Sequence, residues 1–196
     1  MTFKKYYSWQ DVEHMVSDIC RQITLSGWRP DYVVGITRGG NVPATMISQY
    51  FGCRCEALKV KLRDVEDGES CESNCWMAED AFGYEEHQLN ELQGDISASA
   101  GEDILQRDIK GMNILIVDDI NDTGATFNWI MDDWQSSCLP NNDRWDNVWG
   151  NNVRFAVLTD NLSSEFNHCV SYYADEVNKA EDPVWLVYSW EEWWKS

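Results

Sequence analysis

Two adjacent carboxylates, Asp118 and Asp119, close an apolar run, and the segment Asp122-Thr123-Gly124-Ala125-Thr126 follows them. Neighbouring carboxylates can accept hydrogen bonds from sugar hydroxyls or help to hold a magnesium ion, which favours oxygen ligands. Gly124 allows the backbone to approach a ligand closely, and Thr123 and Thr126 add hydroxyl donors. A helix beginning near Ala125 would leave its first N–H groups without partners, and its dipole would favour an anion there. The two acids lie about one sugar length ahead of this cradle, so the spacing suits a phosphorylated sugar. Capping of an ordinary turn accounts for Asp122 and Thr123, but it has no use for the Asp118–Asp119 pair.

A second loop, Thr37-Arg38-Gly39-Gly40, also follows an apolar run. Arg38 offers a planar fork that can grip a phosphate with two hydrogen bonds. Gly39 and Gly40 tolerate unusual backbone angles and close contact. An Arg-Gly-Gly turn is common by itself; its position on the strand before the first motif is what gives it weight. Lys59, Lys61 and Arg63 alternate just beyond. On a strand they would share one face, either toward a pyrophosphate or as the charged guard of a sheet edge.

These loops need elements to hold them. Ser8 and Asp11 read as a capping box. Val12, Met15, Val16, Ile19 and Ile23 then follow helical spacing as far as Gly27. Residues 31–36 and 55–61 read as strands, with a helix over 42–52 that carries Pro43 in its first turn. Met112–Val117 is the strongest strand, followed by a helix over 125–136 and a loop over 137–151. Further strands are expected at 153–159, near 169–173 and at 184–188. Strands alternating with helices predict an α/β fold, a parallel sheet flanked by helices, here with a small C-terminal hood. The whole chain, 1–196, reads as a single domain. Residues 62–110 form an acidic insertion without sustained periodicity, the usual character of a functional lid or a partly disordered insertion.

The run Ile114–Thr126 resembles the phosphoribosyl-pyrophosphate signature of type I phosphoribosyltransferases: an apolar strand, Asp-Asp, a spacer and Asp-Thr-Gly-x-Thr. The wider resemblance is to bacterial xanthine-guanine phosphoribosyltransferases. It takes in Tyr7–Asp11, Val34–Gly52 and Val184–Glu191. It implies an enzyme of nucleotide metabolism that joins the phosphoribosyl group of 5-phosphoribosyl-1-pyrophosphate to a purine base, 6-oxo purines favoured, with Mg2+ as cofactor. It further implies that Asp118, Asp119, Asp122, Thr123, Gly124, Ala125 and Thr126 hold the ribose and its phosphate. Arg38, Gly39 and Gly40 would hold pyrophosphate, and Asp122 would be the general base. By the same resemblance Trp185 stacks on the base and the backbone of Leu186 meets its edge. Where the family carries a lysine toward the purine 6-oxygen, this chain has Asn161. Transfer to a non-purine base, and a non-catalytic sensor of the same sugar phosphate, are the alternatives. With eleven Trp in the chain, most must be structural, and Trp190, Trp193 and Trp194 are expected among them.

The net charge is −19 and the pI about 4.3. Fourteen Asp or Glu and one Arg fall within 64–108, a net −13, which leaves only −6 for the rest. Such a chain repels nucleic acid and anionic membranes overall, yet its acidity is concentrated away from the two ligand loops. The sequence opens without the apolar stretch of a secretion signal, so a cytoplasmic location is expected. A homo-oligomer is expected as well. Seven cysteines, an odd number, are expected as reduced thiols. Cys53, Cys55, Cys71 and Cys75 could alternatively gather around zinc.

Overall fold

In the computed structural model, residues 3–62, 71–83, 111–139 and 143–195 are described below. In chain order the elements are β1 (Phe3–Tyr6), α1 (Trp9–Leu25), β2 (Tyr32–Thr37), α2 (Asn41–Phe51), β3 (Arg54–Lys59) and α3 (Cys75–Phe82). β4 (Ile114–Asn121), α4 (Ala125–Asp132), β5 (Val153–Asn161), β6 (Tyr172–Val177) and β7 (Val184–Val187) follow. A π-helical turn, Asp133–Cys138, extends α4, and 3-10 turns occupy Asp143–Asn147 and Trp193–Lys195. Among the described residues no helix is long and apolar enough to cross a membrane.

Five parallel strands form the main sheet in the order β3-β2-β4-β5-β6. Their period of two divides the core. Tyr32, Val34, Ile36, Ile114 and Ile116 face the side covered by α3, α4 and a tryptophan cluster. Val33, Leu115 and Val117 face α1 and α2. Ser8 caps α1 as the sequence predicts: its hydroxyl accepts from the Asp11 N–H, and Asp11 reaches back to the Ser8 N–H.

Several expectations are corrected. The hood differs from a purely C-terminal one. β7 pairs in parallel with β1, from the other end of the chain, as a separate two-stranded sheet. The hood is therefore built from both termini. The acidic insertion contains a helix, α3, which buries Met77, Ala78 and Ala81 against the core; the rest of it, 63–70 and 84–110, lies outside the described residues, as does Arg63. The strand that carries Lys59 ends at that residue, so the alternation does not extend to Lys61. The 137–151 stretch is not plain loop, since Trp145 and Trp149 stack there with centroids 5.4 Å apart and Trp134 lies 5.8 Å from Trp149. Trp193 and Trp194 are exposed rather than structural, while Trp190 stacks on Tyr188.

The thiol expectation also changes. Cys75, at the start of α3, is disulfide-bonded to Cys138, at the end of the π-helical turn. This takes Cys75 out of the cysteine quartet weighed for zinc, and Cys53, Cys55 and Cys71 are free thiols. Among the described residues no three His, Cys, Asp or Glu side chains gather as a metal site.

Trp134 is fully buried in the core and stacks on Trp149. Removing so large a core side chain costs about 3–5 kcal/mol. Trp134→Ala is expected to lower unfolding free energy by that amount in urea denaturation; a loss under about 1 kcal/mol would mean that the cluster is not part of the core.

Candidate active site

The strand order reverses between β2 and β4, since the chain moves from β2 outward to β3 and then crosses to β4. Ligands of open parallel sheets bind outside the carboxyl ends of the strands at such a switch point. The two loops singled out in the sequence end these two strands, so the fold brings them side by side. The contact is tight. A Cβ on Gly39 would overlap the Asp119 carboxylate, and one on Gly40 would overlap the Val117 carbonyl. Glycine is required at both positions by neighbouring atoms of β4. Arg38 is exposed beside them, and the peptide that precedes it is cis.

The acid pair is held largely out of water. Asp118 accepts from the Asp119 N–H at 2.9 Å. Burial, and then the charge of Asp119, push the Asp118 carboxyl well above its usual range. Burial, and then the charge of Glu191, raise Asp119 from 3.8 to about 6. Two adjacent acids with raised affinity for protons are equally poised for another cation. Magnesium commonly uses one or two carboxylates and takes its remaining ligands from phosphates and water. The chemistry of Asp118 and Asp119 fits that role; they would supply two carboxylates to such an ion.

The turn after β4 is shaped by a segment that the sequence did not flag. Gly124 has φ +82°, and a Cβ there would collide with the backbone of Phe166. This glycine is thus demanded by chain packing, whereas the sequence suggested phosphate approach. Glu165 N–H donates to the Thr123 carbonyl, and the Asn128 amide donates to the Glu165 carbonyl. The 161–168 segment in this way steadies the start of α4. Thr123 and Ala125 remain exposed at that helix start and Thr126 is half-buried.

Asn161 does not present its amide to open space. It is 5% exposed, its Nδ2 donates to the Asp122 carbonyl at 2.7 Å, and its Oδ1 accepts from the Ser163 hydroxyl and from the Lys179 N–H. Asn161 thereby clasps three loops, with both ends of its amide engaged. The cation near Asp122 is Lys179, whose Nζ lies 2.9 Å from Asp122 Oδ1. Sequence reading missed it, although Lys179 is the one Lys or Arg between Arg154 and Lys195.

The hood sits against the acids. The Tyr188 hydroxyl is 3.0 Å from the Asp119 carbonyl and 2.9 Å from Thr159 Oγ1. Tyr7, Tyr188 and Trp190 form a continuous stack. Tyr7 and Lys5 both donate to Asp175 Oδ2 at 2.6 Å. On β7, Leu186 is buried, whereas Trp185 is 52% exposed. An indole face is thereby left open on the strand that the hood shares with the N-terminus.

Comparison with known proteins agrees with this arrangement. The family model described as "Phosphoribosyl transferase domain" matches residues 3–187. The chain is 24% identical over 199 residues to a hypoxanthine-guanine phosphoribosyltransferase of Schizosaccharomyces pombe, covering 95% of this chain and 88% of that one. Its fold is similar to a purine phosphoribosyltransferase from Pyrococcus horikoshii, with TM-score 0.58, 19% identity and coverage of 96% and 95% of the two chains. It is also similar to a xanthine-guanine-hypoxanthine phosphoribosyltransferase from Helicobacter pylori, with TM-score 0.61, 15% identity and coverage of 98% and 96%.

The raised Asp119 carboxyl has a consequence for stability. Between pH 3.8 and about 6 the folded protein keeps a proton that the unfolded chain has lost, so this group makes the fold less stable as pH rises through that window. Asp119→Asn removes the effect. Its stability relative to the unsubstituted protein is expected to rise from pH 4 to pH 7 in urea denaturation. A difference that stays constant with pH would show that the acid is not strained.

Proposed function

The chain belongs to the phosphoribosyl transferase domain family and is a transferase; from that premise we propose that it transfers the phosphoribosyl group of 5-phosphoribosyl-1-pyrophosphate to a purine, 6-oxo purines favoured, releasing pyrophosphate. The observation that carries this reading is the packing of Gly39 against Asp119 at the switch point, which joins a candidate pyrophosphate loop to a candidate ribose site. The purine assignment draws on the names of the relatives and on the open indole face of Trp185. A homo-oligomer in the cytoplasm belongs to the same reading.

In this mechanism the exposed backbone at the start of α4, with Thr123, Gly124, Ala125 and Thr126, binds the 5-phosphate, where the helix dipole favours an anion. Asp118 and Asp119 orient the ribose and would hold magnesium, which supplies charge neutralisation for the departing pyrophosphate. Arg38 grips the same leaving group, and Gly39 and Gly40 keep its loop close. Positive charge grows on the sugar in the transition state, beside buried carboxylates that stabilise it electrostatically. Trp185 stacks on the base, an interaction worth about 1–3 kcal/mol at comparable nucleic-acid sites, and the Leu186 backbone meets its edge. Asp122 accepts the proton that the imidazole ring of the base releases.

Labelled phosphoribosyl pyrophosphate offered with guanine, hypoxanthine, xanthine, adenine and non-purine bases tests this reading. Pyrophosphate release with 6-oxo purines is expected, and Asp122→Asn is expected to lower kcat by ~10²–10⁴-fold. Binding of the sugar phosphate with no turnover on any base would overturn the transferase reading in favour of a sensor.

A further inference from the structure

We propose that a cleft at the amino ends of the main sheet is a second binding site, for a sugar that carries two or more phosphate groups, free or within a nucleotide. It lies at the opposite end of the strands from the acid pair and is independent of the transferase reading.

The cleft is formed where the chain enters β2, β4 and β5. Its volume is about 670 Å³, within the range of small-molecule sites. Arg29, Arg144 and Arg154 line it, and among the described residues no Asp or Glu does. The chain holds 34 acids against 15 Lys and Arg, so three arginines without an acid reverse its overall charge locally. Asp31, on the same loop as Arg29, accepts from the Asn113 N–H and does not line the cleft. Along β4, Asn113 and Asp119 are separated by roughly 20 Å at the rise of a strand. A ligand here is therefore remote from the two loops at the carboxyl ends.

The arginines are held in place. Arg144 lies over the Phe82 ring at 4.2 Å and donates to the Phe82 carbonyl at 3.0 Å. Arg154 lies over the Trp28 ring at 4.9 Å and donates to the Asn151 carbonyl and the Tyr172 hydroxyl. Arg29 donates to the Phe51 carbonyl at 2.6 Å. A guanidinium has five N–H donors, so Arg29 and Arg154 keep most of theirs, and neither is in a salt bridge with a described acid. Fixed planar forks of this kind match phosphate oxygens two at a time, and three of them call for more than one phosphate. The asparagines of the cleft supply the opposite polarity. Asn113 Nδ2 donates to the Arg29 carbonyl, Asn151 Nδ2 to the Asn147 carbonyl, and Asn152 Nδ2 to the Ala81 and Met112 carbonyls. Among the described residues no hydrogen bond reaches the Oδ1 atoms of these three amides. Acceptors beside cations suit the hydroxyl groups of a sugar, which donate; a bare phosphate anion would leave them unused.

A purely structural role, in which the arginines only tie down their loops, predicts no ligand at this end. Hydrogen exchange read peptide by peptide tests the difference. The probes are fructose 1,6-bisphosphate for a free sugar phosphate, guanosine diphosphate for a nucleotide, and inorganic pyrophosphate as the control without hydroxyls. One or both sugar-bearing probes are expected to protect residues 27–31 and 144–154, and which of them does so identifies the source. In calorimetry Arg29→Gln is expected to weaken that probe about 10- to 100-fold, the weight of hydrogen bonds to a charged group. Arg29 is exposed, so this substitution leaves the fold intact, as circular dichroism would check. Arg154→Gln is expected to weaken binding as well. Arg38→Gln, at the other end of β2, is expected to leave the protection unchanged. No protection of 27–31 and 144–154 by either sugar-bearing probe, or unchanged affinity in both Arg29→Gln and Arg154→Gln, overturns the proposal. So does protection that disappears in Arg38→Gln, or pyrophosphate binding as tightly as the sugar phosphates.

Discussion

Two neighbouring carboxylates at the buried end of a central strand set the terms for everything around them. Ionised together in a dry site they repel, and burial alone disfavours the charge of each. Among the described residues no salt bridge to the pair relieves this. The protein supplies backbone N–H groups to Asp118 and leaves both acids with raised proton affinity. Such a centre favours positive charge: a proton at low pH or, under the proposed function, a metal ion and an electron-poor sugar during turnover. Gly39 follows from the same constraint, because the Asp119 carboxylate fills the space opposite it, whereas Gly40 is crowded by the backbone of β2 and β4.

The surrounding elements keep that strained centre in place. Tyr188 fastens the hood to the Asp119 backbone and to Thr159 on β5. The hood itself exists only because β1 and β7 pair across nearly the whole chain. Glu191, which accepts from the Tyr188 N–H, adds a further negative charge near the pair. On the other flank, Asn161 and the 161–168 segment fix Asp122 and the start of α4. The acid pair, Asp122 and the helix terminus are thus positioned by different parts of the chain but share one rim of the sheet.

The sequence made the centre legible and the supports much less so. Ile114–Val117 is a continuous apolar run closed by two acids, and a buried parallel strand is the straightforward reading of it. The α1 cap was likewise visible, because a capping box is local. The pairing of β1 with β7 was not, since Phe3–Tyr6 is short, mostly exposed and finds its partner some 180 residues away. The helix α3 was hidden because it spans only 8 residues inside a long acidic stretch without sustained periodicity. Asn161 was placed correctly at the end of β5, but its partners come from three separate loops, and no spacing rule reveals them. For the same reason Lys179 gave no signal: its significance lies in one contact with Asp122.

The central claim is that the carboxyl ends of β2 and β4 bind a phosphorylated, pyrophosphate-bearing sugar through the acid pair. Calorimetric titration of magnesium and phosphoribosyl pyrophosphate into the protein and into the Asp118→Asn, Asp119→Asn double variant tests it most directly. The account predicts magnesium-dependent binding by the unsubstituted protein and a severe loss in the double variant, with the fold intact by circular dichroism. Equal affinity in the two proteins would contradict it.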